Sequence, residues 1–426
     1  MRDLFLLVVL AAAMPFALAR PVLAAGIYIV ISVGSIHKLA YGFAADFPWA
    51  ATYSGVLLVS VIFNERASLL EGLRRYAKFL PLLVVVAISS LLHIEQPWTV
   101  DRFLYFLKIQ VALVLILAVI RSRQDLLWIL AALVASISFH AAKGARLVLT
   151  EFTSKGISGP PDSMIGDNNH YATALVMCLP LLAFFALQAR QQWAKVGIWG
   201  VFVACLMVVL GTWSRGGLVA LTAVGLLATL MHKTHRWRVL AIALPAAALI
   251  WGALPEQFHE RMDTISDYRD DASVQGRFQA WETAASLASS ESFGGGFDHY
   301  LDPLRWAQHA PEGSTPKAAH SIYFQVLGDH GYPGLIALAL LLVWALKTAW
   351  SSPVTGAEIQ GKPRLSHYMM LSLSGILIGG AFLSLAYWEG FYMLLGCMFC
   401  LDAPEFAPAF AGQSESSSTG RVSLKT

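Results

Sequence analysis

The chain has 426 residues, of which 57% are hydrophobic and 13% carry a charge, against about 25% charged residues in soluble domains. Its formal net charge is +3 and its mean hydropathy is +0.59. The high hydrophobic and low charged fractions exclude a soluble enzyme and a disordered protein. The small and scattered net charge excludes a nucleic-acid-binding protein, because it cannot form a surface that follows phosphates. The four cysteines lie in apolar runs, which predicts packing rather than a zinc or redox site.

Apolar segments long enough to cross a hydrocarbon core of about 30 Å recur along the chain. They lie near residues 4–18, 22–36, 48–63, 79–93, 103–120, 125–148, 170–187, 194–211, 217–231, 238–254, 319–346, 367–385 and 387–402. Such segments must be helical, because a bilayer has no water to satisfy backbone groups. We therefore predict an all-α polytopic membrane protein over residues 1–411, with about twelve transmembrane helices. Residues 412–426 are polar and serine-rich, which predicts a disordered cytoplasmic tail.

The N-terminal region contains three short apolar segments before the first loop rich in positive charge, at 64–78. Residues 1–19 also resemble a signal peptide, but cleavage there would place that loop outside, against its four positive charges. We predict that the three segments make two crossings, with a break at Arg20-Pro21, and that both termini are cytoplasmic.

Lysine and arginine collect in alternate loops, which predicts the orientation of the chain. After 64–78, the cytoplasmic positions are Arg121, Arg123, Arg190, Lys195, Lys233, Arg236, Arg238, Lys347, Lys362 and Arg364. The opposite face then has three short loops at 94–101, 149–169 and 212–216, and one long periplasmic loop at 254–318, in which we expect short helices.

Arg215 lies in the short connection Gly211-Thr-Trp-Ser-Arg-Gly-Gly217, between two predicted spans. A guanidinium followed by a helix N-terminus near Gly217 favours an anion site, because the fork of donors and the helix dipole act together. An interfacial arginine that reaches for lipid headgroups is the alternative interpretation.

Arg277 lies in the long loop, in Gln275-Gly-Arg-Phe-Gln-Ala-Trp281. The apolar positions Phe278 and Trp281 predict a helix along the membrane with Arg277 near its start. A solvated arginine in an ordinary salt bridge is the alternative.

His320 opens the span that follows the long loop, where it would face the outer mouth of a cavity. Histidine exchanges protons near neutral pH, which suits a general base, although a lone interfacial histidine is commonly only hydrogen-bonded. His330 lies near a predicted helix break at Gly331-Tyr-Pro333, and we interpret it as structural.

Other polar positions are also unexpected near a bilayer. Asp167, Asn168 and Asn169 form the most polar run before a span; one of them would cap a helix, which leaves the others unexplained. Lys108, inside a span, must face the bundle interior or a lipid phosphate. Together the cations on the outer half favour a site for a pyrophosphate-bearing lipid, and the absence of an HExxH or Asp-x-Asp motif favours transfer without a metal or other cofactor.

These motifs resemble the O-antigen ligase superfamily of bacterial polysaccharide ligases and polymerases. The likeness spans residues 70–402 and rests on short motifs in the family's order. They are Gly159-Pro-Pro-Asp-Ser-Met-Ile-Gly-Asp-Asn-Asn-His-Tyr-Ala172, Ser214-Arg-Gly-Gly217, Gly276-Arg-Phe278, Gly294-Gly-Gly-Phe297 and His320-Ser-Ile-Tyr-Phe-Gln-Val-Leu-Gly-Asp-His-Gly331. Within the superfamily the sequence is most similar to the O-glycosylation ligases associated with exosortase A.

The resemblance implies a GT-C-like bundle in the bacterial inner membrane with its active site facing the periplasm. It implies transfer of a glycan from undecaprenyl pyrophosphate to an acceptor glycolipid or protein hydroxyl. Arg215 and Arg277 match the family's pyrophosphate-binding arginines, and His320 matches its essential histidine. Substrate-binding roles are expected for the other polar positions, which are Asp167, Asn168, Asn169, Lys108, Lys143 and Arg146.

Two alternatives remain at this point. The first is a polysaccharide polymerase, whose acceptor is another lipid-linked glycan. The second is a transporter of lipid-linked glycans, which would be expected to have broken helices at mid-membrane in paired halves. Convergence of Arg215, Arg277 and His320 would favour an enzyme.

Overall fold

The computed structural model describes residues 2–40, 42–64, 68–150, 156–231, 272–352 and 364–402, together with the isolated helical positions 237, 241, 252 and 256. Within these ranges every regular element is helical. The α-helices are α1 Arg2–Ala19, α2 Pro21–Ser32, α3 Phe43–Asp46, α4 Trp49–Phe63, α5 Leu69–Tyr76, α6 Leu80–Leu92, α7 Thr99–Val119, α8 Arg123–Thr150, α9 Asn168–Gln188, α10 Gln192–Gly211, α11 Arg215–Met231, α12 Ala272–Ser290, α13 Pro303–His309, α14 Ile322–Ser351, α15 Leu365–Gly380 and α16 Glu389–Phe399.

Among the described residues, seven helical stretches are long and apolar enough to cross a membrane. Four shorter apolar helices of 10–17 residues accompany them, namely α2, α4, α11 and α15. The chain is therefore a multi-pass membrane protein of the all-α class. The total of about twelve spans stays a prediction, because the predicted span 238–254 lies almost wholly outside the described residues.

The predicted break near the N-terminus is confirmed. Helix α1 ends at Ala19 and α2 begins at Pro21. Proline is tolerated at this first helical position because its missing N–H would have no partner within the helix. Arg20 between them has an extended backbone.

The expectation of a loop over 64–78 was wrong for most of its length, because α5 begins at Leu69 and continues through a 3₁₀ turn into α6. Ser68 caps α5 by accepting a hydrogen bond from the Glu71 N–H at 3.3 Å. Arg75, with a side chain only 6% exposed, pairs with Glu71 at 3.0 Å and donates to the Leu117 carbonyl of α7 at 3.1 Å. The positive charges that mark this region as a loop therefore partly serve helix packing.

Helix α9 is the centre of the bundle and packs against α8, α10, α11 and α15. Small residues allow this approach: a Cβ on Gly217 of α11 would lie 2.6 Å from the Ala172 Cβ, and one on Gly379 of α15 would lie 2.5 Å from the Thr173 Oγ1. Close backbone contact of this kind is how helices associate where both lipid and side chains are apolar.

The segments predicted to lie on the non-cytoplasmic face gather at one end of the bundle. Gln96 donates to the Gly295 carbonyl at 2.9 Å, and Trp98 donates to the Phe297 carbonyl at 2.6 Å. Asn168 donates to the Thr212 carbonyl at 2.9 Å. We call this the His320 end; it comprises residues 93–98, 156–167, 212–214, 291–321 and 381–388.

The opposite end, which we call the Arg75 end, carries residues predicted to be cytoplasmic. Lys78 lies 4.0 Å from Asp402, 3.5 Å from the Thr348 hydroxyl and 4.6 Å from the centre of the Phe399 ring. The two sets of loops that were predicted to lie on opposite membrane faces are thus at opposite ends of the bundle. The assignment of each end to a membrane face stays a prediction.

Helix α14 is interrupted at Gly331, where the sequence predicts a break, with φ +66° and ψ −168°. The glycine turn 294–296 packs against this point: Gly295 donates to the Gly328 carbonyl and Gly296 to the Asp329 carbonyl, both at 2.9 Å. The kink therefore fixes the 294–300 segment at the His320 end. His330 beside it is fully buried among Phe297 and Tyr387, which agrees with a structural role.

Candidate active site

His320 lies two residues before α14 and is held by two other parts of the chain. Its backbone N–H donates to the Ser384 hydroxyl at 3.0 Å, and the neighbouring Ala319 carbonyl accepts a hydrogen bond from the Trp281 indole at 2.6 Å. Its backbone has φ +44°, in the left-handed region that costs a non-glycine residue about 1–3 kcal/mol. Such strain persists only where the surrounding structure imposes it, and it is concentrated at functional sites.

Positive charges surround the His320 ring. Burial is the main reason that its pKa lies below the ordinary value of 6.5, and the charges of Arg277 and Lys317 and the nearby His170 ring lower the pKa further. The Asp167 carboxylate acts in the opposite direction. His320 is therefore a neutral imidazole at neutral pH, able to accept a proton, next to cations able to attract an anion.

Arg277 is on the second turn of α12, which confirms a helix with this residue near its start. One turn further on, Trp281 stacks on Phe324 of α14, with ring centres 4.9 Å apart. A Cβ on Gly276 would lie 2.4 Å from the Lys317 Nζ, so this glycine leaves room for the lysine beside Arg277. The packing of α12 on α14 thus brings Arg277 and Lys317 towards His320.

Arg215 is the first residue of α11, two positions earlier than the expected start at Gly217. The connection from α10 is only Thr212, Trp213 and Ser214, and the Ser214 hydroxyl accepts a hydrogen bond from the Gly217 N–H at 3.0 Å. A cation at a helix N-terminus is unfavourable with the helix dipole, so the two together create a strong positive potential.

The neighbour of Arg215 connects it to the rest of the site. A Cβ on Gly216 would lie 3.4 Å from the Cβ of Phe382, in the same 381–388 segment whose Ser384 holds His320. The structure therefore brings Arg277 and His320 into electrostatic range and places Arg215 at the same end of the bundle.

The polar run before α9 has local structural roles. Asp167 caps the helix by accepting from the N–H groups of Asn169 at 2.8 Å and His170 at 3.3 Å. The Asn168 side-chain amide donates to the Thr212 carbonyl, and the Asn169 side-chain amide donates to Asp167 at 3.1 Å. The expected substrate-binding role of these three residues stays a prediction, because their hydrogen bonds already explain their presence.

Three basic candidates are not brought to His320. Lys108 on α7 is exposed, so of its two predicted environments the bundle interior is not observed and contact with a lipid phosphate stays a prediction. Lys143 and Arg146, in the last turns of α8, are also exposed. The substrate-binding role expected for Lys143 and Arg146 stays a prediction.

Sequence reasoning missed Lys317, His170 and Ser384 as parts of the site. His170 ends the polar run that the motif comparison had already singled out, whereas Lys317 and Ser384 belong to no motif. In the part of the chain that the structure describes, no group of three or more His, Cys, Asp or Glu side chains is placed to hold a metal ion.

A cavity of about 210 Å³ lies beside His320. Its wall includes Ala318, Ala319 and Ser384, which are the immediate neighbours and hydrogen-bond partner of His320. Arg215, Arg277 and His320 are not among the residues that line it. We call Arg277 and Lys317, the charges that act on His320, the cationic group. The cationic group and the cavity are therefore adjacent but distinct features of the His320 end.

Residues 200–339, which contain Arg215, Arg277 and His320, match the family model described as O-antigen ligase. The match supports the O-antigen ligase superfamily. This family implies an enzyme of the ligase or glycosyltransferase type that uses a lipid-linked glycan donor and an acceptor. The closer resemblance to exosortase-associated ligases stays a prediction.

Residues 1–190 match a second family model, described as a family of unknown function (DUF5935). Asp167 and Asn168 belong to this part of the chain, whereas Arg215, Arg277 and His320 belong to the O-antigen ligase match. A search of curated proteins gave no match.

Proposed function

We propose that this protein transfers a glycan from an undecaprenyl-pyrophosphate donor to an acceptor hydroxyl at the periplasmic face of the bacterial inner membrane, without a metal. The observation that carries the proposal is the neutral His320 imidazole among the positive charges of Arg277 and Lys317. A proton acceptor beside a cationic group is what glycosyl transfer from a pyrophosphate leaving group requires.

In the proposed reaction, the acceptor oxygen forms a bond to the anomeric carbon of the donor glycan. The bond between that carbon and the pyrophosphate oxygen breaks, and its electron pair leaves with undecaprenyl pyrophosphate. His320 takes the proton of the attacking hydroxyl and returns it to solvent or to the released pyrophosphate. Arg215 and Arg277 stabilise the negative charge that develops on the leaving group.

The acceptor is a glycolipid or a protein hydroxyl in the ligase form of this proposal. A polymerase, whose acceptor is a second lipid-linked glycan, would use the same residues and differs only in the acceptor. A transporter is less well supported, because the candidate residues collect at one end of the bundle rather than at paired helix breaks at mid-membrane.

The test is reconstitution of the purified full-length protein in liposomes with EDTA present. The donor is an undecaprenyl-pyrophosphate glycan, the acceptors are a panel of glycolipids, peptides and lipid-linked glycans, and the product followed is released undecaprenyl pyrophosphate. Acceptor-dependent release supports a metal-independent glycan transferase, and the productive acceptor distinguishes a ligase from a polymerase. Movement of the donor across the bilayer without release would instead mean a transporter.

Substitutions separate the proposed roles. His320→Ala should lower the rate of transfer by about 10²–10⁴-fold and leave donor binding intact, since a general base contributes about that much. Arg215→Ala and Arg277→Ala should weaken both donor binding and transfer, the latter by about 10²–10³-fold. Suitable controls are His309→Ala, on the short helix α13, and Arg74→Ala, whose side chain is 82% exposed at the Arg75 end. Full turnover by the His320 variant would remove the assignment of a base.

A further inference from the structure

The cavity beside His320 differs in chemistry from the cationic group next to it. Its polar lining combines Asp298, paired with Arg102 at 2.7 Å, with the phenol of Tyr300. Its apolar lining is mainly aromatic and includes Phe106 and Phe297. A carboxylate and a phenol next to aromatic faces can bind hydroxyl groups on one side of a ring and C–H groups on the other.

A buried network makes one wall of this cavity rigid. Asp329, only 1% exposed, hydrogen-bonds the His299 ring through one carboxylate oxygen and accepts from the Tyr387 hydroxyl through the other, both at 2.8 Å. Both oxygens of Asp329 are therefore engaged within the protein. Arg102, Gln325 and Ser384 also line the cavity, together with the carboxylate of Asp298 and the hydroxyl of Tyr300. The Oδ2 atom of Asp298 is paired with Arg102, so its Oδ1 atom is the one to meet a ligand.

Asp298 is held in place on both sides. Its backbone has φ +51°, a left-handed conformation that a non-glycine residue rarely adopts, and its carboxylate is paired with the first turn of α7 through Arg102. An acceptor fixed in this way loses little entropy when it accepts a hydrogen bond from a ligand hydroxyl.

The charges of the cavity also favour a neutral ligand. The carboxylates of Asp298 and Asp329, with the one guanidinium of Arg102, would disfavour a phosphate, whereas the cationic group beside His320 would attract one.

We propose that this cavity binds one neutral pyranose ring of a glycan substrate, with the Asp298 carboxylate and the Tyr300 hydroxyl as its hydrogen-bond partners. The proposal rests on the proposed function, because it supplies the sugar-binding counterpart of the pyrophosphate site. A volume of about 210 Å³ is below the roughly 300–1,000 Å³ of pockets for drug-sized ligands, which limits the occupant to a single ring. The shared wall at Ala319 and Ser384 places this ring next to His320.

Binding of two kinds of probe to the full-length protein in nanodiscs tests the proposal. The first kind is a panel of neutral methyl hexopyranosides, titrated by saturation-transfer NMR, which reports a ring from the acceptor. The second is a pair of lipids, undecaprenyl pyrophosphate and its hexose-linked form, whose ratio of Kd values reports a ring from the donor. The variants are Asp298→Asn and Tyr300→Phe, and the matched control is Asp302→Asn, a half-buried helix cap four residues away that does not line the cavity.

We expect Asp298→Asn to weaken sugar recognition about tenfold and Tyr300→Phe about threefold, as for loss of a charge-assisted and of a neutral hydrogen bond. The loss appears with the methyl hexopyranosides if the ring belongs to the acceptor, or in the ratio of the two lipid Kd values if it belongs to the donor. The Asp302 variant should bind as the wild type does. The proposal is overturned if no probe sugar is recognised by the wild type, or if both cavity variants recognise it unchanged.

Binding of undecaprenyl pyrophosphate itself separates this proposal from the proposed function. It should depend on Arg215 and Arg277 and be unaffected by Asp298→Asn, which also shows that the cavity variant is folded. Normal binding of this lipid with no sugar recognition would refute only the sugar site. No binding of this lipid would refute the proposed function, whatever the sugars do.

Discussion

At the scale of single residues, the site depends on charges that act on one imidazole. His320 is held by a hydrogen bond to Ser384 and by the neighbouring contact between Trp281 and Ala319. Burial, Arg277, His170 and Lys317 all disfavour its protonation. The same positive charges that would bind a pyrophosphate therefore keep the proposed base in its reactive form.

The pH dependence of transfer should reflect this environment. Because the pKa of His320 is lowered, kcat/KM should fall only at a lower pH than for an ordinary histidine base, as the ring becomes charged. Lys317→Gln removes a charge that opposes protonation, so the pKa of His320 should rise and the acidic limb should move to higher pH. Lys347→Gln at the other end of α14 is the control. An acidic limb that is identical in all three proteins would argue against His320 as the titrating base.

At the scale of elements, the turns at the helix ends position the site. Asp167 caps α9, Ser214 caps α11, and the kink at Gly331 receives the glycine turn at 294–296. Each of these features was visible as a motif, but the motif alone did not distinguish a ligand contact from a structural role. Substitutions that separate the two roles are therefore informative.

The capping role of Asp167 predicts different effects for two substitutions. Asp167→Ala should lower the free energy of unfolding by about 1 kcal/mol, because two N–H groups of α9 lose their acceptor. Asp167→Asn should retain stability, since asparagine caps equally well. Thermal unfolding in detergent measures both, and transfer assays accompany it. A stable but inactive Asn variant would show that the carboxylate has a role beyond capping.

The kink in α14 predicts that Gly331 cannot be replaced. A Cβ there would lie 2.2 Å from the Ser292 carbonyl oxygen and 2.8 Å from the Gly294 N, and the backbone has φ +66°. Gly331→Ala should therefore cost more than about 2 kcal/mol and lower the melting temperature strongly. Gly225→Ala on α11 is the matched control, because nothing lies within 4 Å of its Cβ position. Equal melting temperatures for the two variants would contradict this account of the kink.

At the scale of the whole molecule, polar chemistry is divided between two ends of an apolar bundle. The His320 end carries the cationic group and the cavity, and the Arg75 end carries Lys78, Asp402 and the paired Glu71. The O-antigen ligase match covers the helices that bear the arginines and the histidine. The distribution of lysine and arginine predicts that the His320 end faces the periplasm.

Labelling of introduced cysteines tests this orientation. The four native cysteines are buried, so they give little background. In spheroplasts, Glu95→Cys and Glu312→Cys at the His320 end should react with a membrane-impermeant maleimide. Arg74→Cys and Arg190→Cys should react only after permeabilisation. The reverse pattern would place the site in the cytoplasm and refute the predicted orientation.

The sequence by itself determined the class of protein, because long apolar segments can satisfy their backbone groups in a bilayer only as helices. It also indicated the break at Arg20-Pro21, the break near Gly331 and the motifs that contain Arg215, Arg277 and His320, since these depend on local residue chemistry. Only the tertiary structure decided that α5 is a helix, that Lys108 is exposed and that Lys317 and Ser384 join His320. The reason is physical: a periodic pattern reports the environment of each segment, whereas partners far apart in the chain are set by how the helices pack.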